Sequence, residues 1–201
     1  MTRLLVASHN VKKRDEIKVL LKEFKDLKII YFDDLDGPVP MIVEDGKTFR
    51  ENAVKKAVIV SKFFDDLVLA DDSGLEVDAL FGKPGVRSAR FARKNATDTE
   101  NNEKLLNLLL KVNEESRAAR FVCHVALAKG GKLLEDFGGE VKGTIGSAPR
   151  GRKGFGYDPL FIPEKNTKTF GEMPAASKNK ISHRARALMK MKKVIGKYVK
   201  G

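Results

Sequence analysis

Two adjacent aspartates, Asp71 and Asp72, end an apolar run and are followed at once by a serine and a glycine. The run, Leu67-Val68-Leu69, predicts a short buried strand, and Ser73-Gly74 predicts the turn that ends it. Carboxylates at the carboxyl end of a buried strand lie where open α/β sheets bind ligands. Because side chains alternate along a strand, at most one of the two aspartates can face a ligand directly. Ordinary turn chemistry explains the same four residues equally well, so the rest of the chain has to decide.

A second candidate ligand site follows the first predicted strand, Leu4-Leu5-Val6-Ala7. Ser8-His9-Asn10 interrupts that strand, and apolar residues then recur at helical spacing from Val11 to about Phe24. The N–H groups at a helix N-terminus bind anions, and Lys13 adds positive charge in the first turn. The segment lacks the glycines of a Walker loop. Its serine and asparagine are also good helix caps, which is the alternative interpretation.

Two capping boxes predict where further helices begin, Thr48 with Glu51 and Thr97 with Glu100. Glu51 therefore has a structural role. Glu44 and Asp45 lie on the loop before the first of these helices and have no such role in the pattern, so they are candidate ligand-binding carboxylates.

A glycine-rich basic loop spans residues 146–159, with four glycines and three basic residues. Glycines allow a ligand to approach the backbone closely. Phe155 is suited to stacking on a base, and Asp158 is suited to accepting hydrogen bonds from ring N–H groups. A flexible basic loop anchored by Phe155 is the alternative. Lys178, His183 and Arg184 follow in or near the first turns of one last helix, which is predicted to start between residues 174 and 177.

The remaining pattern places these sites on a mixed sheet. Leu27–Phe32 predicts a second strand, alternating apolar residues from Phe121 to Leu127 predict a half-buried one, and Gly130-Gly131 predicts a hairpin turn. Two further strands are expected at residues 140–145 and 160–162. Strands and helices alternate in the first half, and the hairpin region dominates the second, so we expect a mixed α/β sheet.

Composition narrows the class of protein. The 201 residues are 42% hydrophobic and 33% charged, which is typical of a soluble globular protein of one domain, or one domain with a lobe. No apolar run has the length of a membrane span, the N-terminus does not have the pattern of a signal peptide, and the single cysteine, Cys123, fits a reducing cytoplasm. The net charge is +12, and residues 173–201 hold nine Lys or Arg and no acid. That segment fits nucleic acid, a small polyphosphate or a solvated helix face.

Five segments together resemble the inosine triphosphate pyrophosphatase family, whose members hydrolyse non-standard purine nucleoside triphosphates. They occur in the family's order and span nearly the whole chain, and five weak motifs in order are far more specific than any one of them. The segments are Ser8-His9-Asn10-Val11-Lys12-Lys13, residues 44–53 (EDGKTFRENA), Ala70-Asp71-Asp72-Ser73-Gly74-Leu75, Gly154-Phe155-Gly156-Tyr157-Asp158-Pro159 and Ser182-His183-Arg184. One departure is visible, since the family often has glycine where His9 stands.

The resemblance implies Mg²⁺-dependent hydrolysis of ITP, XTP and dITP to the monophosphate plus pyrophosphate, which would keep deaminated purines out of DNA and RNA. It implies a single domain over residues 1–201, with an elongated mixed sheet flanked by helices and two lobes around a central cleft. A homodimer in the cytoplasm, with no stable nucleic-acid or membrane partner, is also implied.

The resemblance further assigns residues to roles. Asp72 would activate the attacking water and, with Glu44, bind the metal, since Mg²⁺ prefers carboxylates plus substrate oxygens. Asp71 would be the second candidate for either role. The expected substrate-binding residues are Ser8, His9, Asn10, Val11, Lys12 and Lys13 for the phosphates, Ser73 beside Asp72, and Phe155, Gly156, Tyr157, Asp158, Lys178, His183 and Arg184 for the base.

Three alternatives remain at this point. A nucleic-acid-binding protein would explain the basic C-terminal segment, but it has no use for Glu44, Asp71 and Asp72, which repel phosphate without a metal. A pyrophosphatase with a different base choice, such as modified pyrimidines or dUTP, would use the same chemistry. A nucleotide sensor would bind without turnover.

Overall fold

A computed structural model describes residues 1–35 and 37–199. Its strands are β1 (Thr2–Val6), β2 (Leu27–Tyr31), β3 (Leu67–Val77), β4 (Ala118–Lys129), β5 (Lys132–Ile145) and β6 (Phe161–Pro163). Its helices are α1 (Val11–Leu21), α2 (Phe49–Val60), α3 (Asp98–Leu109), α4 (Ala175–Ile181) and α5 (His183–Ile195), and short 3-10 turns cover Phe32–Asp34, Asp78–Leu80, Gly85–Arg90 and Glu114–Ser116. No helix of the described residues has the length and apolar character needed to cross a bilayer.

The strands form one mixed sheet in the order β2-β1-β3-β4-β5-β6. Strand β1 is parallel to both β2 and β3, whereas β6 is antiparallel to β5. This confirms the predicted mixed α/β class. Val6 pairs with Leu69, and the Ala7 N–H donates to the Leu69 carbonyl at 2.8 Å. The end of β1 and the Asp71-Asp72 pair therefore lie at the same edge of the sheet.

The chain divides into two compact units, and strands β3, β4 and β5 each contribute residues to both. The first comprises the described residues of Met1–Asp72, Cys123–Gly139 and Arg184–Gly201, and the second comprises Ser73–Val122 and Glu140–His183.

The first unit has an apolar core on each face of its strands. Leu67 and Leu69 pack with residues of α1 and α5, such as Ile17 and Leu188. Val68 and Ala70 instead pack with the alanines of α2 and with Val60. This alternation is the expected consequence of strand geometry, and it continues into the two aspartates that follow.

The second unit has a separate apolar core. Leu75 and Val77 of β3 are fully buried there, together with Leu105 of α3 and the rings of Phe161 and Phe170. This burial corrects one prediction. Ser73-Gly74 does not end the strand, because the apolar residues that follow continue β3 into a second core, and tertiary burial outweighs the local turn preference.

Two more predictions of the secondary structure were wrong in detail. Residues 132–145, expected to hold a hairpin strand and a separate strand at 140–145, form the single strand β5. This strand follows the hairpin turn at Gly130 and Gly131, both of which have positive φ. The last helix is two helices, because Ser182 is extended (φ −65°, ψ 157°) between α4 and α5 and its N–H closes α4 by donating to the Lys178 carbonyl.

Candidate functional site

The loop from β1 to α1 is held in place by its own side chains. Asn10 is the N-cap of α1, with its Oδ1 accepting from the Lys13 N–H at 3.1 Å, and the Ser8 Oγ accepts from the Asn10 N–H at 3.2 Å. Buried Arg14 donates to the Ser8 carbonyl and to Asp33, each at 2.5 Å. The capping interpretation of Asn10 is therefore correct, and a capped helix N-terminus still directs N–H groups outward.

The three other predicted residues of this segment are exposed to solvent. Val11 and Lys12 are exposed. His9 is also exposed, and its ring lies 4.7 Å from that of Phe32, centroid to centroid.

Asp71 is fully buried on the face of β3 that packs against α1 and α5. Its Oδ2 lies 3.2 Å from the Lys13 Nζ, and it accepts from the Arg184 Nη2 at 3.0 Å. Arg184 is itself 0% exposed and also pairs with Glu16. Lys13 is therefore held at the N-terminus of α1 by a carboxylate that the arginine holds in turn.

Asp72 lies on the opposite face, toward α2. The Asn52 Nδ2 donates to the Asp72 Oδ2 at 3.0 Å, and the Asn52 Oδ1 accepts from the Gly46 N–H at 2.8 Å. One turn further along α2, Lys56 pairs with Glu44 and donates to the Asp71 backbone carbonyl at 3.1 Å. The acidic cluster (Glu44, Asp71 and Asp72, with the two lysines Lys13 and Lys56) thus gathers at the carboxyl edge of β1 and β3.

The pKa values of the two aspartates shift in opposite directions because their neighbouring charges differ. Burial raises the pKa of the Asp72 carboxyl, and the charges of Lys13 and Lys56 only partly oppose this. Burial acts in the same direction on Asp71, but the charges of Lys13, Arg184 and Lys56 hold its pKa well below the usual range. Asp71 therefore stays ionised at every ordinary pH, as a fixed counter-charge for its cations.

The glycine-rich loop of the second unit closes around Asp158, which is 2% exposed. Its Oδ2 accepts from the Lys178 Nζ at 2.6 Å and from the Phe155 N–H at 2.8 Å. Lys178 also lies over the rings of Phe155 and Phe170, at 4.9 and 5.6 Å from their centroids. A Cβ on Gly154 would lie 1.9 Å from the Asp158 Oδ2, so this turn requires glycine.

The other predicted residues of this loop are anchored by neighbouring elements. The Gly156 N–H donates to Asp98 at 2.8 Å, and its carbonyl accepts from Asn102 at 2.9 Å, so α3 holds both backbone groups. The Tyr157 hydroxyl donates to the Ser88 carbonyl at 2.9 Å. Burial raises the pKa of that hydroxyl, which therefore stays protonated and serves as an anchor.

His183 is 4% exposed, and its ring is stacked on Phe121 with centroids 4.8 Å apart and 10° between planes. The aromatic-lysine cluster (Phe155, Phe170, Asp158 and Lys178) and this stacked pair belong to the second unit. Flat apolar surfaces beside polar groups are suited to a heteroaromatic ring.

Comparison with known proteins assigns the chain to a family. The Ham1 family model matches residues 4–194. The chain belongs to the Ham1 family. A "dITP/XTP pyrophosphatase" of Geobacter sulfurreducens is 48% identical over 198 residues, covering 98% of each chain, and one of Bacillus subtilis is 43% identical over 199 residues, covering 97% of this chain and 98% of the relative. These matches confirm the resemblance drawn from the five motifs.

Solved Ham1 structures share the fold. A HAM1 protein from Coxiella burnetii matches with a TM-score of 0.87 and 39% identity, covering 98% of this chain and 100% of the other. A structure described as "Nucleoside-triphosphatase / dITP/XTP pyrophosphatase" from Mycobacterium abscessus matches with a TM-score of 0.75 and 36% identity, covering 94% of this chain and 97% of the other.

The predicted site residues of this Ham1 chain fall into two groups. The first unit contains Ser8 to Lys13, Glu44, Asp72 and Arg184. The second unit contains Ser73, Phe155 to Asp158, Lys178 and His183. Arg184 is thus grouped with Asp71 and Glu16, whereas the other residues expected to bind the base belong to the second unit. The individual roles remain predictions.

Sequence reasoning missed Asn52 and Lys56. The buried residues of α2 are Phe49, Asn52, Ala53, Lys56, Ala57 and Val60, which follow the helical repeat. Two polar residues one turn apart on such a buried stripe are the signal that was available, since buried polar side chains need partners.

Proposed function

We propose that this Ham1 chain hydrolyses non-standard purine nucleoside triphosphates (ITP, dITP and XTP) to the monophosphate and pyrophosphate. The observation that carries the proposal is the acidic cluster, in which buried Asp72 and half-buried Glu44 lie with Lys13 and Lys56 at the end of β1. Relatives with 43–48% identity over nearly the whole chain bear the name dITP/XTP pyrophosphatase.

The first-unit residues supply what cleavage of a phosphoanhydride requires. The triphosphate needs cations and N–H donors, and Ser8 to Lys13 at the N-terminus of α1 provide both. Lys56, between Glu44 and Asp72, supplies a second ammonium. Burial would lower the pKa of Lys56, but the charges of Glu44 and Asp71 raise it, so it stays protonated.

We propose Mg²⁺ as the cofactor, held by Glu44 and Asp72. Two carboxylates plus substrate oxygens are a donor set that Mg²⁺ commonly accepts. The Asp71 Oδ1 is buried with no hydrogen-bond partner among the described residues, so it keeps an unused acceptor in the cluster. When bound, Mg²⁺ neutralises charge that develops on the phosphates. Asp72 takes the proton from the attacking water as the general base.

The second-unit residues are proposed to bind the base. Half-buried Phe155 offers a ring face, and His183, whose ring is stacked on Phe121, is proposed to line the same site. Lys178 offers a donor suited to the 6-keto oxygen of hypoxanthine or xanthine. Adenine presents an amino donor at that position, which would leave a buried donor unpaired, and such mismatches discriminate by about 10⁴ in favourable sites. Asp158 positions Lys178 through the 2.6 Å bond.

We further propose a homodimer that acts in the cytoplasm, as the family resemblance implies. The free, buried thiol of Cys123 fits a reducing compartment, and burial raises its pKa to about 12, so it takes no part in the chemistry. Light scattering of the purified protein would give the mass of the assembly.

Product analysis tests the proposed reaction. The protein is incubated with ITP and Mg²⁺ alone, and IMP, IDP, pyrophosphate and orthophosphate are separated. We expect equal amounts of IMP and pyrophosphate and no orthophosphate, because the bond cleaved joins the α and β phosphates. IDP with orthophosphate would refute the proposal, and tight ITP binding without turnover would indicate a sensor.

Lys13→Ala should weaken binding of a triphosphate more than binding of a monophosphate. The ammonium, fixed 3.2 Å from Asp71 at the start of α1, is expected to contact the outer phosphates, and losing a charge-assisted bond costs about 1.5–3 kcal/mol, or roughly 10–100-fold. Isothermal titration with IMP and with an ITP analogue that has a methylene group between the α and β phosphorus atoms measures the difference. Lys18→Ala is the control, because Lys18 is an exposed lysine of the same helix. Equal losses for both ligands would contradict a phosphate contact.

A further inference from the structure

Asn52 joins two parts of the acidic cluster that the chain keeps far apart. Its amide is 1% exposed, and both ends are used: the Nδ2 donates to Asp72 at 3.0 Å and the Oδ1 accepts from the Gly46 N–H at 2.8 Å. Gly46 is two residues beyond Glu44. We propose that Asn52 is a positioning residue that sets the placement of Glu44 relative to Asp72, and thereby the affinity for a divalent cation. This inference rests on the proposed function.

The chemistry of the amide suits this position. An asparagine carries a donor and an acceptor on one rigid group, so it can bridge a carboxylate and a backbone N–H. A neutral donor orients Asp72 without cancelling its charge, which leaves the negative charge for a cation. An aspartate at the same position would keep the acceptor for Gly46 but would face Asp72 with a like charge.

The loop around Gly46 is closed tightly onto the bridge. A Cβ on Gly46 would lie 2.6 Å from the Asn52 Oδ1 and 2.9 Å from the Glu51 Cβ. The Glu51 carboxylate accepts from the Lys47 N–H at 2.7 Å, and the Thr48 hydroxyl caps α2 by accepting from the Glu51 N–H at 3.1 Å. The segment that carries Glu44 is therefore docked on the first turn of α2 by several short contacts.

Lys56 completes the geometry from the next turn of α2. Its ammonium pairs with Glu44, while Asn52 holds Asp72, so one helix face orients both carboxylates with two different groups. The helix is rigid, and the spacing of Asn52 and Lys56 along it is fixed. Without the amide bridge, Lys56 would still hold Glu44, but Asp72 would lose its hydrogen bond from α2.

Three variants test the bridge. Asn52→Ala removes both bonds, Asn52→Leu removes both bonds but keeps the side-chain volume, and Gly46→Ala leaves the asparagine in place and pushes on its acceptor end. Gly196→Ala is the matched control, because a Cβ there would meet nothing within 4 Å. Asn107→Ala, on the exposed side of α3, is the control for asparagine loss.

Two readouts separate positioning from simple support of the fold. Binding of Mn²⁺ to the protein alone is measured from the electron paramagnetic resonance signal of free Mn²⁺, and the Mg²⁺ concentration for half-maximal ITP hydrolysis is measured at saturating ITP. Loss of a hydrogen-bonded partner behind a metal ligand typically costs about 10–100-fold in affinity. We therefore expect the Mn²⁺ dissociation constant and the half-maximal Mg²⁺ concentration to rise by about this factor in the three bridge variants and to stay unchanged in the controls.

Each outcome bears on the proposal. Folded variants with wild-type Mn²⁺ affinity and Mg²⁺ requirement would overturn it, as would a lower melting temperature without any change in those two quantities. Wild-type protein without saturable Mn²⁺ binding would overturn it as well. If Asn52→Ala does not fold, Gly46→Ala, which keeps every polar group, decides the question. Wild-type protein that binds Mn²⁺ but does not hydrolyse ITP would refute the proposed function instead.

Discussion

Asp72→Asn is expected to lower kcat for ITP hydrolysis by about 10³-fold while the protein stays folded, since loss of a positioned general base alone costs about 10²–10⁴. The carboxylate is 7% exposed and lies beside Glu44, Lys13 and Lys56. An asparagine has the same shape but neither accepts the proton of water nor binds a cation with full charge. Single-turnover measurements of pyrophosphate release, with the enzyme in saturating excess over ITP and with saturating Mg²⁺, give the chemical rate directly.

The control for this variant is Asp66→Asn. Asp66 precedes β3 by one residue and pairs with Arg3 at 3.1 Å, so it tests the loss of a carboxylate next to the same strand. Its rate should stay within about twofold of wild type, since surface ion pairs contribute little. An Asp72→Asn protein with near-normal turnover would contradict the assignment of the base.

Arg184→Met is expected to destabilise the protein by about 3–5 kcal/mol, the usual cost of removing one partner of a buried ion pair. Arg184 is 0% exposed and donates to Asp71 at 3.0 and 3.2 Å, and the Asp71 side chain is itself 0% exposed. Lys13 and Lys56 still face Asp71 in the variant, which favours the lower end of this range. Urea unfolding of the wild type and the variant, with unchanged slope, measures the difference.

Arg186→Met, two residues further along α5 and exposed, is the matched control and should cost less than about 1 kcal/mol. The same two variants, Arg184→Met and Arg186→Met, also test whether Arg184 contacts the base. If the arginine acts through Asp71 alone, the folded variant keeps the wild-type ratio of ITP to ATP turnover. A large fall in that ratio would show that the guanidinium reaches the base.

Much of the fold was predictable because the signals are local. The capping boxes at Thr48 and Thr97 predicted the starts of α2 and α3, and Thr97 and Glu100 form both reciprocal bonds. At Thr48 only one bond follows the motif, since the Glu51 carboxylate accepts from Lys47 instead. Caps, turns and apolar periodicity act within a few residues, so a sequence displays them directly.

The prediction that a turn at Ser73-Gly74 ends β3 was wrong for a tertiary reason. Ser73-Gly74 has turn composition, yet β3 continues through it because Leu75 and Val77 are buried at 0% exposure in the second unit. Whether a polar dipeptide ends a strand depends on what the following residues pack against. That packing involves Leu105 and Phe161, which are distant in sequence.

By itself, the sequence determined the motifs, their order, the family resemblance and the alternation that sends Asp71 and Asp72 to opposite faces. Only the tertiary structure decided which partners each aspartate meets. Asn52 reaches Asp72 across 20 residues, and Arg184 reaches Asp71 across 113. Such pairs form because α2 and α5 pack on opposite faces of the same strand, and the burial that results holds Asp71 ionised while it raises the pKa of Asp72.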